Sequence, residues 1–212
     1  VYGTGNEWSV YERPMLMSYE LNTAEDQVQQ WIIGATPQSI PQTNETYGPG
    51  RLFKQITADE NGNRVEEYKN DLGQVVLKKV EVDESNPDPY QAWLWTYYVY
   101  DDFYLLRCVI TPQAVKNMGM AGDWQVQPLL DELCFVYQYD ERNRMYYKKV
   151  PGAAPVYMVY DARDRLVMTQ DGNMRIEGKW LYTKYDETNR IIETGRLSSG
   201  DDRTTHQAQA DI

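Results

Sequence analysis

The residues of this chain that could do chemistry recur at a regular spacing near its C-terminal end. An aspartate is followed four residues later by an arginine in three related phrases: YDERNR at 139–144, YDARDR at 160–165 and YDETNR at 185–190. A carboxylate beside a guanidinium could bind a polar ligand, and paired carboxylates could act as acid and base on a glycosidic bond. The recurrence of the phrase, at intervals of 21 and 25 residues, indicates a repeated structural unit instead.

Each phrase has the composition of a tight turn between two strands. We expect its Asp to accept hydrogen bonds from backbone N–H groups two or three residues further on. The fifth position is Asn or Asp, which tolerate a left-handed backbone better than other non-glycine residues, as a type I turn followed by a bulge requires. β-Branched and aromatic runs flank all three phrases, which is typical of strands. The repeated turn positions are Tyr139, Asp140, Asn143, Arg144, Tyr160, Asp161, Asp164, Arg165, Tyr185, Asp186, Asn189 and Arg190.

Three weaker copies of the phrase lie upstream. Residues 58–63 have the Asp and a Gly but lack the Tyr, and residues 68–77 have the Gly and the following strand with one extra residue at the front. Residues 100–106 keep the Tyr-Asp start but place Tyr104 where the left-handed residue should be. Together these phrases predict six hairpins over residues 51–197.

The phrase resembles the YD repeat of Rhs-type and teneurin-like proteins. The stretch RNRMYYKKVPG at 142–152, followed by VYMVYDARDRL at 156–166, is similar to Rhs-repeat proteins of Gram-negative bacteria. The resemblance covers about residues 50–197. It implies hairpins that wind into a spiral β-sheet and close as a hollow shell, which in some members encloses a toxic polypeptide and in others belongs to a surface adhesion or signalling protein.

At 212 residues the chain is too short to close such a shell, and it lacks the core segment with autoproteolytic aspartates that plugs the shell in that family. We therefore expect a piece of a larger secreted or cell-surface protein, whose remainder is its first partner. A hairpin array cut from a larger sheet exposes unpaired strand edges, so we also expect self-association.

The predicted fold is mainly β: antiparallel hairpin repeats in a curved, spiral-like open sheet, part of a β-shell, with one or two short helices. Residues 1–50 form a β-rich segment with strands at Trp8, at 15–21 and at 31–33, and a helical turn near Thr23. Residues 51–197 form the hairpin array, and 198–212 a polar tail that could be helical.

Two helices are predicted inside the array. Thr111 and Pro112 have the composition of a helix start, and Gly119 that of the residue just past its end. Residues 128–133 could add another helical turn.

Charge and composition exclude several functions. The net charge of −11 argues against nucleic acid and anionic membranes as partners, since both are polyanions. No run approaches the roughly 20 apolar residues of a membrane span, so no membrane insertion is expected. Cys108 and Cys134 lie in apolar runs, where two buried thiols are favoured and a disulfide is the alternative. No metal site and no cofactor are expected.

We expect no catalysis. The single histidine, His206, lies in the polar tail, where a solvated position is predicted, and a general base needs a pocket and an orienting partner. No nucleophile elbow, phosphate loop or dinucleotide motif is present. The repeated arginines could form anion sites, but their recurrence favours stacking on a neighbouring Tyr ring or pairing with a neighbouring turn's carboxylate.

The sequence thus favours a non-catalytic structural segment. The alternative is a carbohydrate- or receptor-binding module in which exposed aromatic rings stack on a ligand. Against that alternative, aromatic residues are common in strands and could all lie between sheet faces. The candidate stacking residues are Trp93, Trp95, Tyr97, Trp124 and Trp180.

Overall fold

The computed structural model describes residues 15–211. The strand predicted at Trp8 lies outside these residues. The chain forms two compact units, divided between Cys134 and Phe135. We call them unit 1 and unit 2 and describe each by itself.

Unit 1 is an antiparallel sheet whose strands lie in the order of the chain. Three short α-helices and two 3-10 turns, at Ala24–Asp26 and Gln127–Leu129, accompany it. Its strands are β1 (Leu16–Leu21), β2 (Phe53–Ala58), β3 (Arg64–Lys69), β4 (Val75–Glu81), β5 (Trp93–Tyr100) and β6 (Leu106–Ile110), and its helices are α1 (Pro89–Ala92), α2 (Pro112–Ala121) and α3 (Leu130–Leu133).

The core of unit 1 lies on the sheet face covered by α2 and by the loop between β1 and β2. Tyr97 is fully buried, and the rings of Trp31 and Trp124 pack edge-on against it at centroid distances of 6.0 and 6.2 Å. Alternate residues of β5 are buried, which is the period expected of a strand with one face on a core. The loop is anchored by Asn22, whose side-chain oxygen accepts hydrogen bonds from the backbone N–H groups of Arg51 and Leu52.

The strand predicted at residues 31–33 is wrong. Trp31 is buried in the core and Ile32 is exposed, but the segment makes a single β-bridge, between Ile32 and Gln42. Its apolar residues were read as a strand, whereas Trp31 serves as an anchor for a loop.

Helix α2 is present but longer than predicted. Its left-handed C-cap is Gly122, and Gly119 lies inside the helix. A Cβ at Gly119 would overlap the ring of Tyr90, so this glycine allows close packing and does not end the helix. Thr111 precedes the helix as predicted, but its hydroxyl donates to the carbonyl oxygen of Leu133 instead of capping it.

Unit 2 repeats the antiparallel arrangement. Both units together confirm the mainly β prediction, although the described residues hold five short α-helices where one or two were expected. The elements are β7 (Cys134–Tyr139), β8 (Met145–Lys149), β9 (Val156–Tyr160), β10 (Leu166–Gln170), α4 (Gly172–Ile176), β11 (Lys179–Tyr185), β12 (Ile191–Ser198) and α5 (Arg203–Ala210).

Helix α5 begins after Asp202, whose carboxylate caps it, and packs on the sheet of unit 2. Gln207 donates to the carbonyl of Tyr160 at 2.6 Å and accepts from its N–H at 3.0 Å. Strands β8 and β9 share only two residue pairs, so the Gln207 amide satisfies backbone groups of β9 beyond the point where that ladder ends. The solvated position predicted for His206 is wrong: it is buried against Trp180, at a ring distance of 4.9 Å, because it faces the sheet.

Six turns of one geometry connect the hairpins. Each turn has five residues. The first is Asp or Asn, and its Oδ1 accepts hydrogen bonds from the backbone N–H groups of the third and fifth residues. The fourth residue has a positive φ, between 60° and 90°, as predicted for the left-handed position. Most hairpins show a register shift beside the turn, as a bulge requires. The turns are 59–63, 70–74, 101–105, 140–144, 161–165 and 186–190.

Two details differ from the sequence analysis. The Asp was expected to bond within two or three residues, but its second bond reaches the fourth residue. In the turn at 70–74 there is no extra residue: Asn70 takes the place of the Asp, and Asp71 is the next position. Tyr104 does occupy the left-handed position of its turn, at φ 62°, which costs about 1 kcal/mol relative to glycine.

The left-handed position of the turn at 140–144 should discriminate sharply between side chains. We expect Asn143→Gly to be neutral or stabilising, because glycine adopts this backbone without a Cβ clash. Asn143→Val should destabilise the protein by more than about 1 kcal/mol, since β-branching clashes in that region. Urea unfolding of both variants measures the difference, and equal stabilities would contradict the turn assignment.

Candidate functional site

Within unit 2, each turn aspartate divides its carboxylate between the backbone and an arginine. Oδ1 of Asp140 accepts from the N–H groups of Arg142 and Arg144, both at 2.9 Å. Oδ2 accepts from Nε of Arg144 at 2.7 Å. Asp161 with Arg165, and Asp186 with Arg190, repeat this pattern.

The same arginine reaches the next turn with its outer nitrogen. Nη1 of Arg144 donates to the carbonyl of Asp161 at 3.2 Å and to Oδ1 of Asp164 at 3.1 Å. Its guanidinium lies 5.2 Å from the ring centroid of Tyr160, a cation–π distance. The hydroxyl of Tyr160 in turn donates to the carbonyl of Met145, at 2.7 Å. Two successive turns are thus joined by an ion pair, a stacked ring and two hydrogen bonds to backbone.

A second rung repeats these contacts, with the neutral Asn189 in place of Asp164. Nη1 of Arg165 donates to the carbonyl of Asp186 and to Oδ1 of Asn189, both at 3.2 Å, and its guanidinium lies 5.0 Å from the centroid of Tyr185. The Tyr185 hydroxyl donates to the carbonyl of Leu166 at 2.9 Å. We call these rungs, centred on Arg144 and Arg165, the arginine ladder. Both expected contacts of the repeated arginines, ring stacking and pairing across turns, occur in it.

Arg190 stands at the end of the ladder. Its Nε bonds to Asp186 at 2.7 Å, as in the other turns, but its side chain is 79% exposed, against 11% for Arg144 and 21% for Arg165. Strand β12 follows it and is exposed at seven of its eight positions. The outer nitrogens of Arg190 therefore face solvent, whereas Nη1 of each of the two earlier arginines donates to the following turn.

The electrostatics of the turns keep their carboxylates ionised. Burial raises the pKa of Asp140, but hydrogen bonds from the backbone and side chain of Arg144 outweigh it and leave the pKa below its ordinary value. The backbone N–H of Arg190 and the Thr188 hydroxyl lower the pKa of Asp186 to about 2. These carboxylates therefore stay ionised near neutral pH and keep their ion pairs with the arginines.

The five candidate stacking residues do not form one exposed platform. Trp95, Tyr97 and Trp180 are buried, with exposures of 6%, 0% and 0%. Trp124 packs into the core of unit 1, and the half-buried Trp93 lies under the guanidinium of Arg64. Alternation along β5 sends Trp95 and Tyr97 to the core face, which is why a run rich in aromatics was misleading.

A buried cluster of charges in unit 1 was not found from the sequence. Lys54 lies 3.0 Å from Asp26 and 3.4 Å from Glu66, and the Tyr68 hydroxyl lies within hydrogen-bond distance of both carboxylates, at 2.7 and 2.8 Å. Lys79 donates to that hydroxyl at 3.3 Å and lies 3.9 Å from the ring centroid of Trp95. The available signal was the presence of Lys and Glu at strand positions that face inward on β2, β3 and β4.

Burial decides the pKa of Lys79 in this cluster but not that of Asp26. It lowers the pKa of Lys79 to about 8 in spite of the nearby carboxylates. For Asp26, burial is outweighed by hydrogen bonds from Thr23, Tyr68 and Lys54, and the pKa falls to about 2.

Cys108 and Cys134 are buried thiols that are not joined in a disulfide, the favoured of the two interpretations of their sequence context. A hydrogen bond with Cys134, together with burial, raises the pKa of the Cys108 thiol. A thiol held protonated is a poor nucleophile and a poor metal ligand.

The ladder predicts different costs for two similar substitutions. Arg165→Ala removes contacts within its own turn and to the next one, and should destabilise the protein by about 2 kcal/mol. Arg190→Ala removes only contacts within its own turn, on an exposed side chain, and should cost no more than about 0.5 kcal/mol. Chemical denaturation measures both, and equal losses would show that the inter-turn contacts contribute nothing.

Within the charge cluster, Lys79 contributes stability that rises with pH between 8 and 10. In this range the unfolded chain keeps a proton on Lys79, whose ordinary pKa is 10.5, while the folded protein releases it at about 8. Relative to Lys79→Met, the wild-type protein should gain on the order of 2 kcal/mol over this range, and the comparison cancels the opposite contribution of buried tyrosines such as Tyr68, whose pKa burial raises. Urea midpoints at pH 7, 8, 9 and 10 test this, and identical pH profiles for the two proteins would contradict it.

Among the residues described, no helix is long and apolar enough to cross a membrane. No family model matches the chain, and no curated protein matches it.

Solved structures share its fold. The crystal structure of TcdB2-TccC3-Cdc42 matches 79% of this chain with a TM-score of 0.52 and 14% sequence identity. The crystal structure of TcdB2-TccC3 matches 88% with a TM-score of 0.52 and 12% identity, and the Tc holotoxin pore of Photorhabdus luminescens matches 88% with a TM-score of 0.51 and 12% identity. The matched region spans only 9–12% of those longer chains. The likeness shows a common fold: consecutive antiparallel hairpins.

Proposed function

We propose that this chain is a non-catalytic structural segment of a secreted or cell-surface Rhs/YD-repeat protein, to which it contributes hairpins of a β-shell or surface scaffold. The remainder of that protein is its principal partner. No cofactor takes part.

The arginine ladder is the observation that carries the proposal. Each rung consists of groups from two successive hairpins, so the contacts exist only where hairpins follow one another. Arg190 offers the same donors and the same cationic face at the exposed edge of β12. A further hairpin matches that edge if its first strand ends in Tyr, its turn begins with Asp, and Asn or Asp holds the left-handed position.

The fold supports the same interpretation. The TcdB2-TccC3 and Tc holotoxin chains that share this fold are much longer than this chain. A segment about a tenth of their length fits a role as one part of a larger sheet. Association with a toxin is the finer proposal that follows from the same likeness.

The chemistry of the turns supports a role without catalysis. The aspartates are occupied by backbone N–H groups and arginines, and His206 is packed against Trp180. A general base requires a reachable lone pair beside a substrate pocket, which none of these groups offers.

The alternative, a carbohydrate- or receptor-binding module, loses the aromatic platform that motivated it, because Trp95, Tyr97 and Trp180 are buried. Self-association remains a proposal, supported by the exposed edge of β12.

The proposal predicts that a YD hairpin binds the β12 edge in trans. A cyclised peptide with the sequence of residues 156–170, which are β9, its turn and β10, should shift backbone amide NMR signals of residues 190–198. Arg190→Ala should weaken this binding by about tenfold, since a stacked, hydrogen-bonded guanidinium contributes somewhat more than 1 kcal/mol.

The matched control is the same peptide with Ala in place of Tyr160, which removes the ring under the guanidinium and should also bind about tenfold more weakly. Equal binding to the wild-type protein and to Arg190→Ala, or shifts confined to residues other than the β12 edge, would contradict the proposal.

A further inference from the structure

A cleft of about 280 Å³ opens in unit 1 between two neighbouring turns, 70–74 and 101–105, and the loop that follows β1. Its wall is aromatic and polar, unlike the space between successive turns of unit 2, which the arginine ladder fills. The lining residues that matter here are Tyr47, Gln74, Tyr98, Tyr100, Asp102 and Tyr104.

The two turns beside the cleft are related as the rungs of unit 2 are. The hydroxyl of Tyr100 donates to the carbonyl of Val75 at 3.3 Å, just as Tyr160 donates to Met145. Gln74 therefore stands where Arg144 stands, and Tyr100 where Tyr160 stands. The backbone frame of a rung is complete on this side of the molecule.

The side chains that would fill this frame differ. Gln74 is shorter than arginine and uncharged; its oxygen accepts from Asn70 at 2.9 Å and its nitrogen donates to the carbonyl of Tyr104 at 3.2 Å. Among the described residues, no cationic group lies over Tyr100, whereas Tyr160 and Tyr185 each lie under a guanidinium. The cleft thus occupies the region that a guanidinium fills between the turns of unit 2.

Tyr104 is a second departure from the ladder. The equivalent positions in unit 2 are Asp164 and Asn189, which accept hydrogen bonds from the arginines, whereas Tyr104 holds the left-handed backbone with an aromatic side chain. The strain of about 1 kcal/mol is retained at the position that gives the cleft another ring.

The charge of the cleft favours a cation. The carboxylate of Asp101 is paired with Arg107 at 3.2 Å, but Asp102 lines the cleft on an exposed turn. The chain as a whole carries −11, which attracts cations and repels anions. Tyrosine faces next to a carboxylate are a common setting for a bound guanidinium or ammonium.

We propose that this cleft binds the guanidinium group of an arginine in a partner peptide, which stacks on Tyr100 as Arg144 stacks on Tyr160. Asp102 supplies the countercharge and Tyr104 a second aromatic wall. The site is independent of the β12 edge and does not require the chain to be a shell segment.

The test is an NMR titration of the intact protein with N-acetyl-arginine N-methylamide, whose only charge is the guanidinium. Saturable shifts at Tyr100, Asp102 and Tyr104, with a dissociation constant on the order of 1 mM, are expected. The citrulline analogue, which has the shape but not the charge, should bind at least tenfold more weakly. Equal binding of the two analogues, or no saturable shift up to about 50 mM, would overturn the proposal.

Two variants separate the site from folding. Asn70→Asp combined with Gln74→Arg introduces the Asp–Arg pair of the ladder. The arginine at position 74 should cover Tyr100, raise the thermal midpoint and abolish binding of the arginine derivative. Tyr104→Asn relieves the left-handed strain, and should raise the midpoint while weakening binding at least threefold. Phe103→Ala is the control, an exposed aromatic of the same turn outside the lining, and should bind within twofold of wild type. Unchanged binding in both test variants would refute the site.

Discussion

A hairpin that reverses within five residues leaves backbone N–H groups inside the turn without strand partners, and a single side-chain oxygen satisfies them here. Oδ1 of Asp140 receives two of these N–H groups, and the same bonds recur in every one of the six turns, with Asn70 in place of Asp once. Because this bond uses one oxygen of the carboxylate, the other remains available for an arginine. The contacts between the turns of unit 2 depend on that division: the first oxygen fixes the turn, and the second orients the arginine that reaches the next hairpin.

The consequence is a sheet whose hairpins recognise one another at their turns as well as along their strands. Arg144 donates to a backbone carbonyl of the following turn and to the side chain of its left-handed residue. The first bond depends on the backbone geometry of that turn, and the second depends on the residue type. Interactions of this kind join only nearest neighbours, as in other repeat proteins, where stability is a sum of unit and interface terms. The terminal unit then has an unfilled interface, which is the situation of Arg190.

The turns and the strands could be predicted from the sequence because they depend on local chemistry: Asn143, Asp164 and Asn189 have the positive φ that their residue types suggest. Positions set by tertiary packing could not. Gly119 looks like a helix end, but it is a contact point for Tyr90, and a polar tail hides that His206 faces the sheet. Ring stacking or pairing across turns was the favoured interpretation of the repeated arginines, but which of the two occurs stayed open, because sequence spacing cannot show which turn lies beside which. The cleft could not be predicted from the sequence, because it is the space that the shorter, uncharged side chain of Gln74 leaves where unit 2 has an arginine.

Units 1 and 2 show how one backbone frame supports two outcomes. Each turn satisfies its own N–H groups, so a rung can lose its arginine without losing the hairpin. Replacing the Asp–Arg pair of unit 2 by the neutral Asn70–Gln74 pair removes a cation–π contact and a bridging charge, yet the Tyr100 hydroxyl still joins the neighbouring strand. The interaction given up is on the order of 1–2 kcal/mol, within the reach of the buried core around Tyr97 to compensate. Because each turn satisfies its own backbone N–H groups, a change of one long side chain between two turns can create a cleft there without loss of either hairpin.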